Sequence, residues 1–286
     1  MTRLAVPKTY KLFIGGAFPR SESGRTYEVL GADGSFLANA ALASRKDARD
    51  AVVAARKAVS GWAGASAYNR GQVLYRVAEL LEGRREQFVE EVRASEGLSR
   101  QDAAAQVDEA IDTWVWYAGW ADKFAQVTGN ANPVAGAFFN ISVPEPTGVV
   151  AVIAPQGGLS LLGLVAVVAP ALVTGNSVVV VADQEHPLSA ISLAEVLATS
   201  DVPGGVVNVL TGSAAELAPW LASHADVNAL DLTGAAALDW VELQIAAADT
   251  LKRVLPPDGG SVDLRSLERI AAFTETKTVW HTKSMR

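Results

Sequence analysis

The chain has 286 residues, of which 50% are hydrophobic and 19% charged, enough apolar sequence for one large core or two modest ones. Its 24 Lys and Arg against 31 Asp and Glu leave a net charge of -7, and the scattered basic residues argue against nucleic acid or an anionic membrane as partner. No cysteine is present, which excludes a disulfide scaffold, a thiolate zinc site and a thiol nucleophile.

Taken in order, MTRLAVPKTYKLFIGG lacks the continuous apolar stretch of a secretory signal, so the cytoplasm is the expected compartment. YKLFIGGAF predicts a strand, a Gly-Gly turn and a second strand. Short strands follow at Thr26–Leu30 and Phe36–Ala41. Ser44, with an acid in the next turn, predicts a helix start, and Gly61 its stop. Leu74, Val77, Ala78, Leu81, Phe88, Val89 and Val92 fall on one face of a single amphipathic helix over Leu74–Ala94. A third helix runs through QDAAAQVDEAIDTWVWYAGWADKFAQ, where Trp116 and Trp120 share a face and predict helix–helix packing. After Gly129, Phe138–Val143 reads as a strand between Pro- and Gly-rich ends, the pattern of a projecting arm.

From Gly148 the strands GVVAVIA, SVVVVA, GVVNVLT, VNALDL and KRVL alternate with helices near 159–173, 188–200, 214–223 and 236–249. Such alternation predicts α/β architecture: a Rossmann-like, doubly wound parallel sheet covered on both faces. The uncharged stretch Thr147–Ala182 is broken by Pro155, Gly157, Gly158, Pro170, Gly175 and Asn176. No run of ~20 apolar residues remains to cross a membrane. LPPDGGSVDLRS then reads as a linker, SLERIAAF as a short helix, and TKTVWH as a terminal strand that needs a partner, for which Phe138–Val143 is the nearest candidate. The four parts are 1–127, N-terminal strands and helices; 128–147, the arm; 148–260, the nucleotide-type domain; and 261–286, linker, helix and closing strand.

FIGGAF, DARDAVVAARKAVSGW, EPTGVVAVIAP, APALVTGNSVVV, PLSAISLAEVL, VPGGVVNVLTG, LTG, KRV and FTETKTVW, in that order, resemble the aldehyde dehydrogenase superfamily. The resemblance implies an NAD(P) domain, a catalytic domain and an oligomerisation arm. It also implies a reaction in which a cysteine attacks an aldehyde, hydride passes to nicotinamide, and a glutamate activates water.

Against that pattern several positions differ. The aromatic residue and oxyanion-donating asparagine after Ala154 and Pro155 fall on Gln156 and Gly157, and loss of such a donor typically costs about 10²–10³ in rate. The ribose-contacting lysine falls on Val181 and the glutamate three further on falls on Gln184. The glycine-patterned turn is reduced to Gly212, and the Thr-Gly-Ser turn becomes Thr233, Gly234 and Ala235. The general-base glutamate falls on Pro257, with Asp258 adjacent. After Gly260 the sequence reaches the closing helix and strand without the interval in which the family builds its catalytic domain.

The expected cofactor contacts, weak or vestigial, are therefore Ala154, Pro155, Gln156, Gly157, Val181, Gly212, Thr233 and Gly234, and no catalytic residue is assigned, the family positions being lost at Gly157 and Pro257. The QGG turn reads as a tight strand-to-helix connection; a leftover role is binding of a dinucleotide pyrophosphate at a helix start near Leu159. His186, His224 and His281 lack metal-ligand spacing, so no metal is expected. Ser160 lacks a nucleophile-elbow context. The sequence thus points to a pseudoenzyme: a non-catalytic subunit that offers 128–147 and 273–281 to a full-length aldehyde dehydrogenase in a hetero-oligomer. The alternatives are an NAD(P)-dependent oxidoreductase acting on aldehydes, and a stand-alone nucleotide-binding scaffold.

Overall fold

The computed structural model describes residue 6, residues 8–257 and residues 263–283; Asp258 and the rest of the linker to Val262 lie outside the described residues. An N-terminal sheet contains β1 (Thr9–Tyr10), β2 (Thr26–Leu30) and β3 (Phe36–Ala41) in the order β1-β3-β2. FIGGAF makes its tight turn, but through a single bridge between Ile14 and Ala17 rather than two strands, while Phe13 bridges Val209.

Helix α1 (Arg45–Gly64) starts where Ser44 and Asp47 cap each other, the backbone N–H of Asp47 donating to Ser44 Oγ and that of Ser44 to Asp47 Oδ2. It does not stop at Gly61. Trp62 is buried and its indole N–H donates to the Leu172 carbonyl at 3.1 Å. That contact outweighs the ~1 kcal/mol propensity cost of a helical glycine. The single helix expected over Leu74–Ala94 is two, α2 (Ala67–Glu82) and α3 (Arg85–Glu96), broken at Gly83 and Arg84. The break lets the Arg84 guanidinium reach Glu195 at 2.6 Å. Helix α4 (Arg100–Trp120) and the short α5 (Phe124–Thr128) follow, and the Trp116 and Trp120 rings pack at 5.7 Å against the core.

The arm comprises β4 (Asn130–Asn132) and β5 (Phe138–Pro146), with β5 longer than its hydrophobic pattern predicts because its pairing continues to Pro146. The main sheet contains β6 (Val149–Ile153), β7 (Ser177–Val181), β8 (Val207–Leu210), β9 (Ala229–Asp231) and β10 (Arg253–Leu255), all parallel, in the order β10-β9-β6-β7-β8. Helices α6 (Leu162–Val173), α7 (Leu188–Thr199), α8 (Ala214–Ser223) and α9 (Trp240–Ala248) connect them, and α10 (Leu267–Ala271) leads into β11 (Thr274–Thr282). The terminal strand pairs antiparallel with β5 from Thr274↔Pro146 to Thr282↔Phe138, as expected of TKTVWH.

Strand alternation divides the interior into two cores. Val150, Val152, Val178, Val180, Val207 and Val209 face a core shared with α2, α3, α4, α6 and α7, while Val149, Ala151, Ile153, Val179, Val181 and Leu230 face one shared with α1, α8 and α9. Burial on both faces explains the unbroken valine runs of the sequence. Every residue of α6 is buried, so that helix is an interior layer and not a membrane span. No helix among the described residues is long and apolar enough to cross a membrane.

Candidate functional site

The strand order reverses between β6 and β9. In an open parallel sheet that switch point opens a crevice outside the carboxyl ends of the strands, where ligands bind. Ala154 follows β6 and Thr233 and Gly234 follow β9, so three of the expected contacts meet there. Gly234 is pressed against the other strand: its N–H donates to the Ile153 carbonyl at 2.9 Å, and a Cβ at this position would lie 1.8 Å from the Ala154 carbonyl oxygen. Only glycine permits this approach. The Ala154 N–H donates to the Val181 carbonyl at 3.0 Å, which brings β7 into the same group. Pro155 packs beside Gly163 at the start of α6. Gly212 and Pro257 do not join the cluster. They follow β8 and β10, the two edge strands, on opposite sides of the sheet.

The turn 156–160 has a specific construction. Gly157, Gly158 and Leu159 all have positive φ, at 80°, 132° and 54°, the last unusual for a residue with a side chain. Successive N–H groups in such a run form a concave nest suited to an anion. Here the chain supplies the anions itself. Asp183 Oδ2 accepts from Gly157 N at 2.8 Å and Gly158 N at 3.1 Å, and the Glu96 carboxylate accepts from Leu159 N at 3.1 Å and Ser160 N at 2.8 Å. Helix α6 spans Leu162–Val173, with Gly163 N donating back to the Leu159 carbonyl at 2.6 Å, and the N–H groups expected to receive a pyrophosphate are already bonded. Gln156, exposed itself, bridges the segments that follow β6 and β7, its Nε2 donating to the Ala154 carbonyl at 2.7 Å and its Oε1 accepting from Gln184 N at 3.1 Å.

The β9 side of the crevice is filled as well. Asp231 is fully buried, its Oδ1 accepting from the Thr233 N–H at 3.0 Å and the Thr233 hydroxyl at 2.5 Å. Its Oδ2 accepts from the Arg269 guanidinium of α10 at 2.5 Å. Burial pushes the Asp231 carboxyl up, and the Arg269 charge and Thr233 hydrogen bonds pull against that shift. Sequence reasoning missed Glu96, Asp183, Asp231 and Arg269. One signal was available: the lone acid inside the apolar strand VNALDL must find a partner when buried. Glu96 and Asp183 carry no comparable mark, because the turn they cap lies 63 and 26 positions away in sequence.

Two cavities flank this region. One of ≈ 400 Å³ lies between α8 and α9, with mainly apolar walls from Pro219, Leu238, Leu243 and Ala246. Another of ≈ 540 Å³ borders Tyr27, Glu96, Gln184 and His186, where Ser95 Oγ and His186 Nδ1 lie 2.9 Å apart. Among the described residues no group of three or more His, Asp or Glu is placed to hold a metal.

The sequence pattern of the aldehyde dehydrogenase family matches residues 18–262. The chain belongs to that family. This aldehyde dehydrogenase family member is 34% identical over 270 residues to a cytosolic 10-formyltetrahydrofolate dehydrogenase of Pongo abelii, covering 89% of this chain and 29% of that protein. It is 33% identical over 283 residues to a mitochondrial aldehyde dehydrogenase of Leishmania tarentolae, covering 95% and 55%. Among solved structures it superposes on PnpE from Pseudomonas sp. WBC-3 with a TM-score of 0.80 at 28% identity, covering 86% of this chain and 50% of that one. A betaine aldehyde dehydrogenase of Staphylococcus aureus in complex with NAD+ shares the fold with a TM-score of 0.77 at 24% identity. The family member thus spans about half the length of its aldehyde dehydrogenase relatives and less than a third of the formyltetrahydrofolate dehydrogenases.

A dinucleotide fits these residues only in part. The apolar slot between α8 and α9 suits a flat base. Val181 is buried and aliphatic and offers a ribose nothing. The N–H groups of the 157–160 nest are bonded to Asp183 and Glu96.

Proposed function

We propose that this aldehyde dehydrogenase family protein is a non-catalytic subunit that pairs through its arm with a full-length member of the family. The observation that carries the reading is the self-filled crevice: Asp183, Glu96, Gln156 and the Arg269–Asp231 pair occupy the hydrogen-bonding groups where a substrate and the phosphates of a dinucleotide would be held. The 286-residue sequence supplies no thiolate, and residues 256–266 alone separate β10 from α10. The position corresponding to the family's oxyanion donor is Gly157, and that of its general base is Pro257.

The arm supports the pairing. Its sheet order is β11-β5-β4, which puts β11, a strand of nine residues paired with β5 on one side, at an edge whose outer side pairs with no strand among the described residues. One face of the arm exposes Phe139 and Ile141. A long edge with apolar residues is suited to strand addition, in which backbone hydrogen bonds supply affinity. The Arg253–Glu275 pair at 2.7 Å ties the root of β11 to β10.

The test has two arms. Steady-state assays with NAD and NADP over a series of aldehydes should show no turnover by the purified chain. Mixing with a full-length family member from the same genome should yield a stable hetero-oligomer. Turnover by the chain alone would favour the oxidoreductase reading instead.

The α8–α9 slot favours one further reading, a nucleotide-binding scaffold. Titration with NAD, NADP and adenosine separates it: weak binding of all three fits a base held in the slot without phosphate contacts. Tight, phosphate-dependent binding would show that the nest opens to the dinucleotide.

A further inference from the structure

A third cavity, remote from the crevice in sequence and chemistry, lies on the N-terminal sheet. It encloses ≈ 260 Å³, and its lining includes Lys11, Arg20 and Arg25 and no Asp or Glu. In a chain of net charge -7 this is a local reversal of sign. None of the three cations makes an ion pair among the described residues, although many of the surface Lys and Arg residues do.

Backbone hydrogen bonds gather the three from separate segments. Leu12 N donates to the Pro19 carbonyl at 3.1 Å, which sets Lys11 beside Arg20. Gly24 N donates to the Ser21 carbonyl at 2.9 Å and closes a turn that returns Arg25 toward Arg20. Leu42 N donates to the Arg25 carbonyl at 3.0 Å and fixes Arg25 against the end of β3. Of the acids nearby, buried Asp47 accepts from Ser44 N at 2.8 Å, Ser21 Oγ at 2.8 Å and Glu22 N at 3.0 Å, holding the turn from beneath; Glu22 pairs with Lys46 at 3.2 Å; and Glu28, opposite Asn39 on β2, stays outside the cavity's lining. Thr26 on β2 and Asn39 on β3 add a hydroxyl and an amide to the lining.

We infer that this cavity binds a small phosphate monoester, by way of its phosphate group. Two guanidinium forks and an ammonium match a phosphate dianion, whose charge and acceptor oxygens converge on one centre, better than a dicarboxylate of equal charge, whose oxygens are split between two separate planar groups. At physiological salt the Debye length of about 8 Å confines the repulsion from the chain's distant acids, so the local sign governs binding. The inference is independent of the proposed pairing function, because neither the crevice nor the arm contributes a residue.

The test is calorimetric titration of the full chain at about 0.15 M salt with inorganic phosphate, glycerol 3-phosphate and malonate. Saturable binding of both phosphates is expected, with malonate about tenfold weaker or more. The double variant Arg20→Gln with Arg25→Gln should weaken phosphate about tenfold or more, while Arg85→Gln, on α3 and outside the cavity lining, should leave it unchanged. Arg20 and Arg25 are exposed and Arg85 is half-buried, and thermal melts of each variant check that the fold is intact. The inference is overturned by absence of saturable phosphate binding, by malonate binding as tightly as phosphate, or by a folded double variant that keeps wild-type affinity.

Discussion

Replacing Glu96 by Ala removes the carboxylate that accepts from Leu159 N, Ser160 N and Gln106 Nε2 at 2.8–3.1 Å. Hydrogen bonds to a charged acceptor contribute about 1.5–3 kcal/mol each when buried. Leu159 is exposed, so water takes over one of the two backbone donors, while Ser160 is buried and loses its partner outright. The net cost is then about 2 kcal/mol, close to that of a single charged bond. For a chain of this size each kcal/mol lowers Tm by roughly 2–4 °C, giving a fall of roughly 4–8 °C. Glu96→Gln keeps one acceptor oxygen and should lose about half as much. Thermal melts supply the magnitude, and amide hydrogen exchange supplies the location: Leu159 and Ser160 should exchange faster in Glu96→Ala, with β6 and β7 unchanged. A variant that melts within about 1 °C of wild type with unaltered exchange at 159–160 would refute the claim that the nest is closed by Glu96.

Other outcomes follow from the same geometry. Arg269→Met leaves Asp231 buried without its counter-charge and should cost about 3–5 kcal/mol by urea denaturation, whereas the double change Arg269→Met with Asp231→Leu should recover much of it. Gly234→Ala drives a methyl into the Ala154 carbonyl and should destabilise by more than about 4 kcal/mol or abolish soluble expression. Hydrogen bonding to Arg253 holds the Glu275 carboxyl below the usual carboxylate range. That tether is therefore complete above the unfolded carboxylate value of about 4.3 and is lost as pH falls through the lower folded value. Both side chains are partly exposed, so the loss is at most about 1 kcal/mol, detectable as loosened exchange at Thr274–Thr276 in wild type and absent in Glu275→Gln.

The fold was largely legible because its signals are periodic. Valine runs bounded by glycine and proline place β6, β7 and β8, and a parallel sheet follows from their alternation with helices. The pairing of TKTVWH with the Phe138 segment was legible for a different reason: an isolated strand must find an edge. What failed were the points where a long-range contact overrides a local preference. Gly61 does not end α1 because Trp62 reaches Leu172, and Gly83 does end α2 although the apolar face continues beyond it. The site divides the same way. Ala154, Thr233 and Gly234 could be placed because they end strands, and strand ends in a doubly wound sheet converge. The contents of the crevice could not, since Glu96 comes from α3 and Arg269 from α10, and nothing in their local sequence distinguishes them from surface charges.

The most direct measurement is native mass spectrometry of the purified chain mixed with a full-length aldehyde dehydrogenase from the same genome, repeated with Thr278→Pro to block the β11 edge. A hetero-oligomer that forms with wild type and is lost with Thr278→Pro is the predicted result. A wild-type chain that remains apart from every such enzyme, or one that oxidises an aldehyde unaided, would contradict the account.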